Sequence, residues 1–209
     1  MGEPHEQAMF KYSRRLEAFS DSVFAIAITL LILEIKVPSA EDAATPALLW
    51  AALLSRWPSY FAFLLSFGTI LIAWVGHHLL LQEVRRVTAR LVCANGLLLL
   101  FITFLPFPTS LVAEHLTHPG GPVAAAVYAG VNALNSLMFL LMFLAVRASA
   151  AETGSTVVSS LHRPLFGALA CGAAALVAFV SPVASLLVVA SVWAWWGVSS
   201  LTGWGESAL

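Results

Sequence analysis

Charge is what this sequence has least of. Asp, Glu, Lys and Arg make up 10% of its 209 residues, where soluble domains carry roughly 25%. That deficit excludes an ordinary water-soluble globule. With 60% hydrophobic residues, the composition predicts an all-α polytopic membrane protein. Neither sign of charge dominates, and a net charge of −1 leaves no basic field to attract nucleic acid. Cysteine is scarce as well. Cys93 and Cys171 lie far apart in apolar runs and read as small buried hydrophobes, not as a disulfide or metal pair. Catalytic signatures are missing: there is no GxSxG, HExxH, phosphate-binding loop or pair of catalytic acids placed in one apolar cavity, so neither an enzyme nor a cofactor is expected. The potassium-filter sequence TVGYG and the arginine ladder of a voltage sensor are absent. No internal repeat is visible.

What the sequence has in quantity is long apolar runs. A bilayer span takes about 20 such residues, and six stretches fit: 16–37, 58–81, 91–113, 122–146, 164–181 and 183–203. The last two are separated by Ser181-Pro182. As one helix they would reach about 60 Å, twice the hydrocarbon core, so two spans are expected. Residues 1–13 form a polar lead, 14–205 one transmembrane domain and 206–209 a short tail. The basic start (Lys11, Arg14, Arg15) and the apolar run 22–33 would suit a cleaved signal peptide. Glu17, Asp21, Glu34 and Lys36 argue against that, because signal sequences rarely carry such an acid load.

Orientation follows from the basic residues. Lys11, Arg14, Arg15, Arg85, Arg86, Arg90, Arg147 and Arg163 fall at one end of the predicted spans, and Lys36 and Arg56 at the other. Eight against two places both termini in the cytoplasm. The connection 38–57 is apolar enough in its middle for a short interfacial helix, with Trp50 and Trp57 at head-group level. The turn 114–122, EHLTHPGGP, places His115 and His118 at a metal-like spacing, but a solvated turn accounts for it. The Ala- and Gly-rich fifth span suits close helix packing. WAWWG (193–197) suits an aromatic belt, bundle packing or a cation cage.

Polar groups inside the apolar spans are costly and need partners or a watery path. Glu17, Asp21, His77, His78 and Asn95 fall at the cytoplasmic side by this topology. They form either a structural clasp or a functional network. Arg15 is the obvious charge partner for Asp21, although six residues is not a helical contact spacing. On the other face of the first span, Ser22, Ile26, Leu30 and Leu33 recur at i, i+4, i+8 and i+11, bordered by Thr29. Such a stripe is either ordinary helix packing or a set of apolar and hydroxyl rings around an axis.

The residues that decide between these readings form a signature. Arg15-x-x-x-Phe19-Ser20-Asp21, followed by SVFAIAITLLILEIKVP, Trp74-x-x-His77, Asn95 and TFLP (103–106), resembles the transmembrane protein 175 family of endosomal and lysosomal potassium channels. The resemblance covers residues 14–108; the last three spans match in hydropathy and count alone. It implies a single-repeat prokaryotic form that assembles as a homotetramer in the plasma membrane, multi-pass, with potassium and other monovalent cations as permeant ions. It further implies that the first helices line a central pore without a re-entrant loop. Ile26 then corresponds to the hydrophobic constriction, Leu30 and Leu33 to further apolar rings, and Thr29 to a hydroxyl tied to potassium preference. No metal site is fixed; a permeating potassium ion would pass near the Ile26/Thr29 ring. Arg15, Phe19, Ser20, Asp21, Trp74, His77 and Asn95 correspond to a polar network behind the pore. Ser22 departs from the family, where Gly is common. The alternatives are a proton-coupled transporter or proton-conducting channel using Asp21 and His77, and a scaffold protein carrying no flux.

Overall fold

The computed structural model describes residues 3–41, 43–84, 86–152, 154 and 161–207, with side-chain surroundings described between positions 13 and 200. Among the described residues there are eight α-helices: α1 (Glu3–Leu30), α2 (Pro46–Ser55), α3 (Trp57–Gln82), α4 (Ala89–Phe104), α5 (Pro106–His115), α6 (Gly121–Glu152), α7 (His162–Val177) and α8 (Pro182–Ser207). No strand occurs among the described residues. Arg85 and the last two residues of the expected tail lie outside them.

The helix boundaries follow from the sequence. Proline occupies the first turn of α2, α3 and α5, where its missing N–H costs nothing. Thr45 caps α2 by accepting from the Leu48 N–H at 3.3 Å, and Thr88 caps α4 by accepting from the Leu91 N–H at 3.2 Å. Ser181 does the same for α8, with the Ala184 N–H donating at 3.3 Å. Beyond Leu30 the first helix tightens into one 3-10 turn, Leu31–Glu34, and then becomes extended ahead of Pro38.

Five helical stretches among the described residues are long and apolar enough to cross a bilayer: Ser13–Glu34, Trp57–Gln82, Ala89–His115, Gly121–Glu152 and Pro182–Ser200. The chain is thus a membrane protein. The fifth expected span, 164–181, is the short one. There α7 has 16 residues, about 24 Å against a core of about 30 Å, and a turn over 178–180 completes the passage to α8. A short helix does form within 38–57, as α2. The lead, expected to be a polar extension, is helical from Glu3 onward. The third span is kinked: Pro106 cannot donate to the preceding turn, so α4 ends and α5 begins at Leu105.

Helix α6 is the hub, lying against α4, α5, α7 and α8. Tyr128, Asn132, Asn135 and Met142 on it are fully buried. Gly167 permits the close α6–α7 crossing, since a Cβ there would stand 2.8 Å from Ser136 Oγ. The aromatic run on α8 splits by position. Trp193 and Trp196 stack inside the bundle, with Trp193 Nε1 donating to Asn132 Oδ1 at 2.8 Å, while Trp195 is exposed. A cation cage is therefore not formed. Cys171 is buried as expected; Cys93 is exposed on the outer face of α4, among other outward-facing apolar residues such as Val92 and Leu97. His115 and His118 are exposed, and no cluster of three metal-ligating residues exists among the described residues.

Side-chain contacts fix the two ends of the bundle. At one end Glu17 meets His78, Arg90 meets Glu152, and Ser149 donates to the Arg86 carbonyl. At the other, Lys36 pairs with Glu114.

Candidate functional site

Of the five long apolar stretches, the first is the one the chain covers least. In its apolar stretch 22% of the residues are buried within the chain, against 56% in α6. Its inner face is narrow: Ser20, Phe24, Ala27 and Leu31 are buried, at i, i+4, i+7 and i+11, against α3 and α4.

The polar residues of the apolar spans meet on or beside that inner face. Asn95 on α4 donates through Nδ2 to Ser20 Oγ at 3.0 Å, and its Oδ1 lies 2.7 Å from His77 Nε2. Because the amide nitrogen is committed to Ser20, Oδ1 must accept, so His77 carries its proton on Nε2. Ser20 in turn donates to the Leu16 carbonyl at 2.9 Å. All three side chains are essentially inaccessible. One turn away, Trp74 Nε1 donates to Asp21 Oδ1 at 2.8 Å, and His78 Nδ1 lies 2.9 Å from Glu17 Oε1. The latter ring stacks on Trp74 and its other nitrogen meets Gln82. Two i, i+4 pairs therefore face each other: Glu17 and Asp21 on α1, Trp74 and His78 on α3.

Two residues of the expected network do not join it in the single chain. Arg15 is exposed and makes no ion pair with Asp21. Six residues rotate it about 120° around the helix from that carboxylate, which takes its hydrogen bond from Trp74 instead. Phe19 is 61% exposed and faces away from the clasp. The Glu17–His78 pair was not foreseen as a unit; the matched i, i+4 spacing on the two helices was the available signal. A second buried cluster was also missed: Ser66 Oγ contacts Thr109 Oγ1 at 2.6 Å and Tyr128 OH at 3.0 Å, joining α3, α5 and α6 just past the Pro106 kink.

The outer face carries Ser22, Ile26, Thr29, Leu30 and Leu33. All are exposed, Ile26 at 57% and Leu33 at 69%, and no charged residue interrupts them. Ser22 donates to the Ala18 carbonyl at 2.8 Å and Thr29 to the Ile26 carbonyl at 2.9 Å. With their hydrogens turned into the helix, both hydroxyls present oxygen lone pairs outward. The 3-10 turn eclipses residues three apart, which aligns Leu33 with Leu30. From Ser22 to Leu33 the stripe runs about 16 Å along the helix.

The chain is similar to known proteins in sequence and in fold. Residues 15–106 match the family model described as endosomal/lysosomal potassium channel TMEM175. A protein named potassium channel from Chamaesiphon minutus is 54% identical over 125 residues, 60% of this chain and 61% of that one. Another so named, from Streptomyces collinus, is 49% identical over 128 residues, 61% of each. The matched stretch thus spans about three fifths of these curated relatives. The human endosomal/lysosomal proton channel TMEM175 is 41% identical over 97 residues, 44% of this chain and 19% of that protein. The crystal structure of a lysosomal potassium-selective channel TMEM175 homolog from Chamaesiphon minutus superposes with a TM-score of 0.82 at 40% identity, covering 91% of this chain and 98% of that one.

Proposed function

Since the chain belongs to the TMEM175 family, we propose that it is a potassium-preferring cation channel whose first helices surround a central pore. The observation that carries this reading is the outer face of α1: apolar and hydroxyl residues, free of charge, left uncovered by the chain's own bundle. Four copies arranged with these faces inward would bury them around an axis. Ile26 forms the constriction, Leu30 and Leu33 the further rings, and Thr29 and Ser22 supply lone pairs to a passing ion. A ring of four apolar side chains closes by dewetting and opens when the helices turn or part. Potassium passes more readily than sodium because its hydration shell is easier to distort, and selectivity from such a ring is weak. The clasp of Ser20, Asp21, Trp74, His77 and Asn95 works from behind by fixing the rotation of α1. Eight basic residues at one end against two at the other support a prokaryotic plasma-membrane orientation with both termini cytoplasmic.

A transporter or proton relay built on Asp21 and His77 is the weaker reading. Their partners are Trp74 and Asn95, on the opposite side of α1 from the stripe. Planar-bilayer recording of purified protein tests the proposal. Potassium currents are expected, and Ile26→Asn should hydrate the constriction, raising conductance and lowering potassium-over-sodium preference. Absence of cation current, or a current indifferent to Ile26→Asn, removes the assignment.

A further inference from the structure

At the Glu17–His78 end of the bundle a cavity of about 70 Å³ opens between α3, α6, α7 and α8. Its walls include Leu80, Phe139, Phe143 and Trp196, and its polar groups include Arg163 and Ser200; no Asp or Glu among the described residues lines it. Phe139 and Trp196 meet edge to face at 4.9 Å, a rigid wall. Ser200 is 2% exposed and its Oγ has no hydrogen-bond partner. A buried hydroxyl left unpaired costs stability, and Ser200 closes the inner end of the cavity. Arg163 spends one of its five N–H donors on the Ser199 carbonyl, at 3.3 Å. A guanidinium with no acid among the described residues to neutralise it selects an oxyanion. Depth narrows the choice further. Arg163 stands in the first turn of α7, at the mouth of an apolar helix, which puts the cavity at head-group level, and the apolar wall suits the first methylenes of a chain.

We propose that this cavity binds a phosphate oxyanion, supplied by an anionic lipid of the leaflet at that end. The inference is independent of the channel reading, because its test measures binding and no flux. The intact protein, purified in detergent, is titrated with phosphatidylglycerol, phosphatidylcholine and inorganic phosphate and followed by native mass spectrometry, which also reports whether each variant remains assembled. Phosphatidylglycerol should bind in preference to phosphatidylcholine. Arg163→Gln should weaken it roughly tenfold, and Arg163→Lys should recover part of the loss. Ser200→Leu, which fills the cavity while keeping Arg163, should weaken it comparably. Displacement by millimolar inorganic phosphate would support the site with a soluble source; no displacement supports the lipid. Phosphatidylglycerol binding unchanged by both Arg163→Gln and Ser200→Leu, or no preference over phosphatidylcholine, overturns the proposal.

Discussion

Asn95 joins three helices through one amide. It donates to Ser20 on α1 and accepts from His77 on α3, so Asn95→Ala strands two buried polar partners at once. In membranes such bonds are worth less than in water-free models, often below 1 kcal/mol, but an unpaired buried group costs about 1–3 kcal/mol. The expected loss is therefore about 1–2 kcal/mol, read as a lower melting temperature of the detergent-purified protein; an unchanged melt would remove the clasp. Asp21→Asn should be milder than Trp74→Phe. The amide oxygen still accepts from the indole, whereas Trp74→Phe leaves a carboxylate without its donor. Much of this site was legible in the sequence: Asp21, His77 and Asn95 stand out as polar groups at one depth of apolar spans. The pairing was not. Arg15 is the nearest opposite charge in sequence, yet helical rotation turns it away, and an indole donor across 53 positions has no local signal.

Among the elements, α6 and α7 depend on close approach. Gly167 is the contact point, since any Cβ would press on Ser136. Gly167→Leu must push the helices apart, and overpacking of this kind costs about 1–3 kcal/mol. Gly130, with no atom within 4 Å of an added Cβ, is the matched control. Thermal unfolding should show Gly167→Leu clearly destabilised and Gly130→Leu unchanged; equal effects would mean that the crossing is not tight. Helix type and most boundaries could be read from apolar runs, caps and prolines. The short α7 could not, because Phe179 and Val180 continue the apolar run beyond the helix end. Hydropathy counts residues, not turns. For the same reason the kink at Pro106 and the helical lead from Glu3 lie beyond what an apolar window resolves.

For the whole molecule, one chain leaves the α1 stripe uncovered, and the proposed tetramer covers it. Cysteine cross-linking separates that burial from lipid exposure. With Cys93 and Cys171 replaced by serine and alanine, Leu33→Cys should form intersubunit disulfides under mild oxidation in membranes. Leu176→Cys, 74% exposed on α7, should not. Cross-linking at 176 but not at 33 would place the subunit contact on the wrong helix. The two positions are about equally exposed in the single chain, so assembly alone distinguishes them.

The clasp also sets an order in time. Ser20 and Asp21 are synthesised 75 and 53 positions ahead of Asn95 and Trp74, the groups that hold them. While the ribosome is still making α3 and α4, α1 sits in the bilayer with its carboxylate unclaimed. Asp21 is tolerable there because it lies at the helix mouth, within reach of water and head groups. The helix made before its partners can be fixed in rotation only after they arrive. A nascent chain released before Asn95 should therefore hold α1 in the membrane but leave it unlocked.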